Sequence, residues 1–261
     1  MSEALLRRDL AEVARKLHEH GWVANHDGNV SVRLPGGGFL ATPTAVSKSV
    51  VNEDMLVVLD AEGKVIGGTR KVFSEISLHL AVFRARPDAQ WVVHAHPPTA
   101  TGFAVTGRSC FDPPFLAEAV VSLGERVPVV PYAAPGSSTD ALAHAFADVD
   151  AALLGNHGVL TCGPDAETAF LRMELVEHLA KIALVAQSLG GPTPLPAGDV
   201  AKLLEARAKA GLGPAGRASS QDSWGGGGPA PLRNASPGAW PAGPLTPAGG
   251  PAAPDPTWPR W

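Results

Sequence analysis

From Leu212 to Trp261 the chain carries 10 glycines and 11 prolines, so 21 of those 50 residues are chain-breakers. With almost no aliphatic periodicity among them, this stretch has no apolar face whose burial would offset the entropy of ordering it. The sequence therefore predicts a Gly/Pro-rich disordered tail over 212–261 and confines folding to a single domain over 1–211. Hydrophobic residues make up 45% of the whole chain, enough for that domain to bury a core.

A formal net charge of -4 argues against nucleic acid or an anionic membrane as the main partner. Near the start, Leu5, Leu6, Leu10, Val13 and Leu17 recur at helical spacing with charges between them. That pattern is an amphipathic helix, neither a signal peptide nor a membrane span, and the expected compartment is the cytoplasm. Cys110 and Cys162 match neither a metal-binding pair nor a disulfide framework and read as buried thiols under reducing conditions.

The rest of the chain alternates strands and helices. NVSVRLPGGGFLAT (29–42) reads as strand, glycine turn, strand, and Leu56–Leu59 as a third strand before the turn Glu62-Gly63-Lys64. Residues 74–84 predict a helix with Ile76, Leu80 and Phe83 on its apolar stripe and Ser74 as its N-cap. Strands are expected at 91–95, near 127–131, at 151–154 and at 159–161, with helices at 139–147 and 167–188. Phe170, Leu171, Leu175, Leu179 and Ile182 form the predicted apolar face of the last helix. Strands in the middle with helices before, between and after them predict an α/β layered domain.

The strand at 91–95 raises the chemical question, because WVVHAHPP places two histidines where a core is being built. Residues two apart on a strand point to one face, so His94 and His96 project side by side while Ala95 faces away. Alone, such a pair fits structural histidines as well as metal ligands. His157, in LLGNHGVLTCG, follows an apolar strand and is flanked by Asn156 and Gly158, where a tight turn can aim it into the same cleft. Three neutral imidazoles with an open position form the usual arrangement for a catalytic divalent metal, most often zinc. Glu75, at the start of the 74–84 helix, is either an acidic complement to the helix dipole or a proton shuttle beside the metal. Of the other histidines, His18, His20 and His178 fall on predicted polar helix faces, His79 and His144 lie within helices, and His26 reads as structural or peripheral in a turn beside Asp27. HDGNVSVR (26–33), ATPTAVSK (41–48) and the Phe73-Ser74-Glu75 turn offer hydroxyls and free amides for an anion, though ordinary turn chemistry favours the same residues.

Gly-Asn-Val-Ser at 28–31, Thr-Pro-Thr at 42–44, Ser-Glu at 74–75, Val-Val-His-Ala-His-Pro-Pro at 92–98, Pro-Tyr-Ala-Ala-Pro-Gly-Ser at 131–137 and Asn-His-Gly-Val-Leu at 156–160 occur in that order. As an ordered set they resemble the class II aldolase/adducin family, of the L-fuculose-1-phosphate aldolase type, from about Leu5 to about Ser188. The resemblance implies a three-layer α/β/α domain around a mixed, largely antiparallel sheet, assembled as a homotetramer. It implies a divalent metal, foremost Zn2+ with Mn2+, Fe2+ or Co2+ as alternatives, on His94, His96 and His157. Glu75 aligns with the family's catalytic acid/base, and Gly28, Asn29, Thr44 and Ser74 align with its phosphate-binding positions. The implied activity is retro-aldol cleavage of a ketose phosphate or related hydroxy-carbonyl compound through a metal-stabilised enediolate.

The alternatives within the family are a sugar-phosphate 4-epimerase, which usually has aspartate where Glu75 stands, and a 3-oxo-acid phosphate decarboxylase. A non-catalytic adducin-like assembly domain is the alternative from another class, and it lacks the metal ligands that are present here. Two departures stand out: Phe73 occupies a position often held by serine, and Ala45 one often held by glycine. Tyr132, the only tyrosine, is expected to serve packing, and Ser47 and Lys48 are further candidates for substrate contact.

Overall fold

Ser2 accepts a hydrogen bond from the Leu5 amide at 3.4 Å and so opens helix α1 (Glu3–Glu19), which buries Leu6, Leu10, Val13 and Leu17. In this computed structural model residues 1–134, 136–214 and 216 are described, and the tail expected over 212–261 lies outside them from 217 onwards. After α1 come β1 (Asn29–Arg33), β2 (Phe39–Ala41), β3 (Val57–Leu59) and β4 (Val65–Gly67). Helix α2 (Ile76–Ala85) leads to β5 (Trp91–Ala95), and α3 (Pro98–Thr106) and α4 (Ala117–Leu123) follow. The chain continues through β6 (Val129–Val130), α5 (Asp140–Asp148), β7 (Ala151–Leu154), β8 (Gly158–Gly163), α6 (Ala166–Ser188) and α7 (Ala197–Lys209).

Among the described residues the strands form one sheet in the order β4-β3-β2-β1-β5-β8-β7-β6. Each neighbouring pair is antiparallel except β6 with β7. Alternation along β5 shows how the layers are made. Trp91, Val93 and Ala95 pack with Leu6 and Leu10 of α1, Phe103 of α3 and Met173 of α6. Val92 turns to the other face and joins Leu80 and Phe83 of α2 and Leu142 and Phe146 of α5. The result is the expected three-layer α/β/α arrangement around a mixed, largely antiparallel sheet.

Two local expectations need correction. Helix α2 begins at Ile76 with Glu75 in the cap position, and no side chain caps it; Ser74 is exposed instead. On α6 the buried face runs through Ala169, Met173, Val176, Ala180 and Ala183 as well as Phe170 and Leu179, and it includes Arg172 and Glu177. Leu171 is left exposed. Glu177 is satisfied inside by accepting from the Ala100 amide at 2.8 Å, at the first turn of α3.

Arg172 belongs to a charged cluster at the N-terminal end of β7. There the fully buried Asp150 carboxylate meets Arg86 Nη1 at 2.8 Å and Arg172 Nη2 at 3.0 Å, and it also pairs with Arg207 of α7. Arg86 is held in turn by Asp88, at 2.9 and 2.7 Å. Burial pushes the Asp150 carboxyl up, but Arg172, Arg86 and Arg207 outweigh it and hold the group below the usual carboxylate range. Cys110 and Cys162 are buried free thiols, as expected. Among the described residues no helix is long and apolar enough to cross a membrane.

Candidate metal centre

His94 lies in mid-sheet, opposite Asn29 of β1 and Leu160 of β8. Its Nδ1 is 2.9 Å from the Val159 carbonyl oxygen. A carbonyl can only accept, so Nδ1 carries the ring hydrogen and Nε2 is a bare lone pair. Burial pushes His94 down to about 3, against the pull of Glu75, which keeps the ring neutral at physiological pH.

That lone pair faces two other imidazoles. His96, just past the end of β5, has its Nε2 at 3.1 Å from His94 Nε2, and its backbone amide donates to the Trp22 carbonyl at 2.8 Å. His157 sits in the turn between β7 and β8 with its Nε2 at 3.2 Å from His94 Nε2. The turn is built by Asn156 at φ 54 and by Gly158. A Cβ on Gly158 would lie 2.5 Å from His96 Cδ2 and 2.6 Å from the Ala95 carbonyl oxygen, so glycine alone lets the two strand ends approach this closely. One ligand atom from each of His94, His96 and His157 lies within 4.8 Å of the others. Imidazole nitrogens gathered this way fit a divalent cation that leaves coordination positions open for substrate.

Glu75 closes one side of the group. Its Oε1 is 2.9 Å from His157 Nε2 and its Oε2 3.6 Å from His94 Nε2. Asn29 Nδ2 donates to Oε2 at 2.9 Å. Burial works against the carboxylate, but the hydrogen bonds from His157 and Asn29 and the electrostatic pull of the adjacent His94 ring together hold it well below the ordinary range. The group at the head of α2 is therefore an ionised acceptor among the three rings, not only a complement to a helix dipole.

The candidate anion contacts gather beside it on three loops. Gly28, at φ +71, and Asn29 lead into β1, and Val30 N donates to Thr42 Oγ1 at 3.2 Å. Thr44 N donates to the Lys71 carbonyl at 2.9 Å, and a Pro43–Val72 bridge ties that loop to the one carrying Ser74. Thr44 and Ser74 are both exposed. The two departures now have structural meaning. Phe73 is buried with its ring 4.9 Å from His79, so it offers an anion nothing. Ala45 sits at φ 55, the left-handed conformation that glycine adopts freely.

Three residues take places the sequence did not disclose. Tyr132 is 62% exposed rather than packed, and it lines a cavity of about 230 Å³ with Ser74, Glu75, Ser77 and His157. Lys48 is buried, and its Nζ donates to the carbonyls of His26 at 2.9 Å and Val46 at 3.1 Å, so it joins two of the three loops. Burial pushes it down to about 8. Asp27 Oδ2 stands 3.6 Å from His96 Nδ1. The side chains of Asp27 and Lys48 reach across loops that no local spacing relates, whereas a lone tyrosine in a Pro-Tyr turn was at least a visible signal.

Residues 8–184 match the family described as Class II Aldolase and Adducin N-terminal domain. The chain belongs to this family. Its class II aldolase relatives include the 3-oxo-tetronate 4-phosphate decarboxylase of Escherichia coli (strain K12), 34% identical over 209 residues that cover 77% of this chain and 96% of that protein. The L-fuculose phosphate aldolase of the same strain is 31% identical over 197 residues, 75% of this chain and 90% of the relative. Among class II aldolase folds, the crystal structure of YgbL from Escherichia coli superposes with a TM-score of 0.70 at 32% identity, over 76% of this chain and 97% of that one.

Proposed function

We propose that the protein is a divalent-metal-dependent carbon–carbon lyase acting on a phosphorylated sugar derivative with a carbonyl beside a hydroxyl. The observation that carries this reading is the bare Nε2 of His94 facing His96 Nε2 and His157 Nε2, with Glu75 against the same group. His94, His96 and His157 would hold the ion, which when bound supplies a Lewis acid for the substrate's carbonyl and hydroxyl oxygens. Glu75 is ionised, and its carboxylate is the group placed to accept or return a proton at the carbon that loses its bonding partner. Asn29 steadies Glu75 through its Nδ2 hydrogen bond and leaves Oδ1 without a partner among the described residues. Gly28, Thr44 and Ser74 would take the phosphate with exposed hydroxyls and turn amides.

Two cleavages use these parts. Loss of carbon dioxide from a 3-oxo sugar-acid phosphate comes first, because relatives at 34% and 33% identity carry that name. Retro-aldol cleavage of a ketose phosphate is the second, supported by the relatives named as aldolases at 31% and 29%. The assembly we take to be a homotetramer, as the family resemblance implies. Metal analysis of the purified chain, followed by assays of carbon dioxide and aldehyde release on 3-oxo-acid phosphates, ketose 1-phosphates and their non-phosphorylated counterparts, tests the reading. Turnover of the phosphorylated compounds only with metal supports it, and a metal-free, inactive protein ends it.

A further inference from the structure

We propose that Asp27 is a positioning residue for the metal centre: its carboxylate fixes the ring of His96 so that Nε2 faces the ligand group as a bare lone pair. The inference rests on the three-histidine reading above and concerns a residue outside that set. His94 needs no such help, since the Val159 carbonyl already decides which of its nitrogens carries the hydrogen. Among the described residues no backbone acceptor is recorded at His96 Nδ1; the group facing that nitrogen is Asp27 Oδ2, at 3.6 Å. This ion-pair separation is roughly 0.8 Å longer than a charge-assisted hydrogen bond of about 2.8 Å. A carboxylate accepts and does not donate, so it selects the form of His96 with hydrogen on Nδ1. Without it a neutral ring is free to carry that hydrogen on Nε2, 3.1 Å from His94 Nε2, where it blocks a ligand position.

Although Asp27 is exposed, its place is not left to a loose loop. Its amide donates to the Ala24 carbonyl at 2.9 Å. One residue before it, the His26 carbonyl accepts from the buried Lys48 Nζ, which also grips Val46. One residue after it, Gly28 takes φ +71, and a Cβ there would run into Val23 and stand 3.1 Å from the His94 carbonyl oxygen. The backbone on both sides of Asp27 is thus pinned against the strand that carries the metal ligands, and the carboxylate is aimed by that anchoring.

The test is the zinc affinity of the full chain, measured with Zn2+ alone against a chromophoric chelator, for the wild type, Asp27→Ala and Asp27→Asn, with apo melting temperatures recorded in parallel. Losing the outer partner of a metal-bound histidine typically weakens metal binding by about 10- to 100-fold. That loss is expected for Asp27→Ala, with the apo melting temperature unchanged because the side chain is exposed. Asp27→Asn, of the same shape, is expected to lose affinity too, since its amide hydrogens can donate to Nδ1 and favour the wrong form of the ring. Both variants binding zinc within about twofold of wild type would overturn the proposal. So would a loss of affinity that merely follows a lowered apo melting temperature in both. A wild-type chain that binds no zinc would instead end the three-histidine reading itself, so the two failures are separable.

Discussion

Removing the His94 ring takes away the middle nitrogen of the three, the one whose hydrogen is fixed on the far side by the Val159 carbonyl. His94→Ala is therefore expected to lose stoichiometric metal on elemental analysis, and full occupancy in that variant would dismiss the three-histidine site. Glu75→Gln keeps the shape of the side chain but not its proton chemistry. It is expected to fold and to bind metal while turnover falls by about 10²- to 10⁴-fold. An unchanged rate would remove Glu75 from the mechanism. The grouping of the three histidines was suggested in the sequence for a physical reason, whereas spacing alone left Glu75 open between a helix-dipole complement and a proton shuttle. Same-face spacing on a strand joins His94 to His96, and the Asn156–Gly158 turn advertises a side chain aimed from a strand end. Asp27 and Lys48 were not legible in these places, because what matters about them is a contact across loops, and no periodicity encodes that.

At the level of elements, the β7–β8 hairpin carries His157 at its turn and Asp150 at its base. Gly158→Ala pushes a methyl into His96 and the Ala95 carbonyl. Overpacking of this kind typically costs about 1–3 kcal/mol. The expected outcome is a lowered melting temperature together with weaker zinc binding, and full affinity would show that the two strand ends have more room than the geometry gives them. At the base, Asp150→Ala leaves three guanidiniums around an empty place, and breaking such a buried pair costs about 3–5 kcal/mol. The acid limb has a definite sign. Because the folded Asp150 carboxyl is held below its ordinary value of about 3.9, its contribution is fully present above that value and lost as pH falls through the depressed one. Denaturant melts from pH 8 to pH 3 should show a constant gap between wild type and variant down to about pH 5, narrowing below about pH 4. A gap that narrows at neutral pH would contradict this. Apolar runs such as Trp91–Ala95 and Ala151–Leu154 made the strands readable beforehand. The short edge strand β4 was not readable, since Val65 and Ile66 are exposed, and the buried face of α6 was misphased because Arg172 and Glu177 go inside with their partners while Leu171 stays out.

For the whole molecule, the described helices end with α7, which Arg207 fastens to Asp150 and to the Val121 and Ser122 carbonyls at 2.8 and 2.6 Å. A chain ending after Gly211 keeps that fastening, so it is expected to retain its zinc stoichiometry and turnover; loss of either would give the Gly/Pro-rich segment a role its composition does not suggest. Val105, Leu184, Val185 and Leu189 stand 55%, 56%, 60% and 82% exposed in the single chain. Sedimentation is expected to report the mass of four chains, and a monomer would leave these side chains facing water. The placement of the site also bears on descent. His94 is locked in mid-sheet by strands on both sides, whereas Thr44 and Ser74 ride on exposed loops, so on the proposed reading a lineage could replace what those loops grasp by editing a few residues while the nitrogens that would hold the metal stay where they are. Proteins built on this plan would be expected to diverge in diet long before they diverge in chemistry, and a decarboxylase and an aldolase at nearly equal distance from one chain is the pattern such a history would leave.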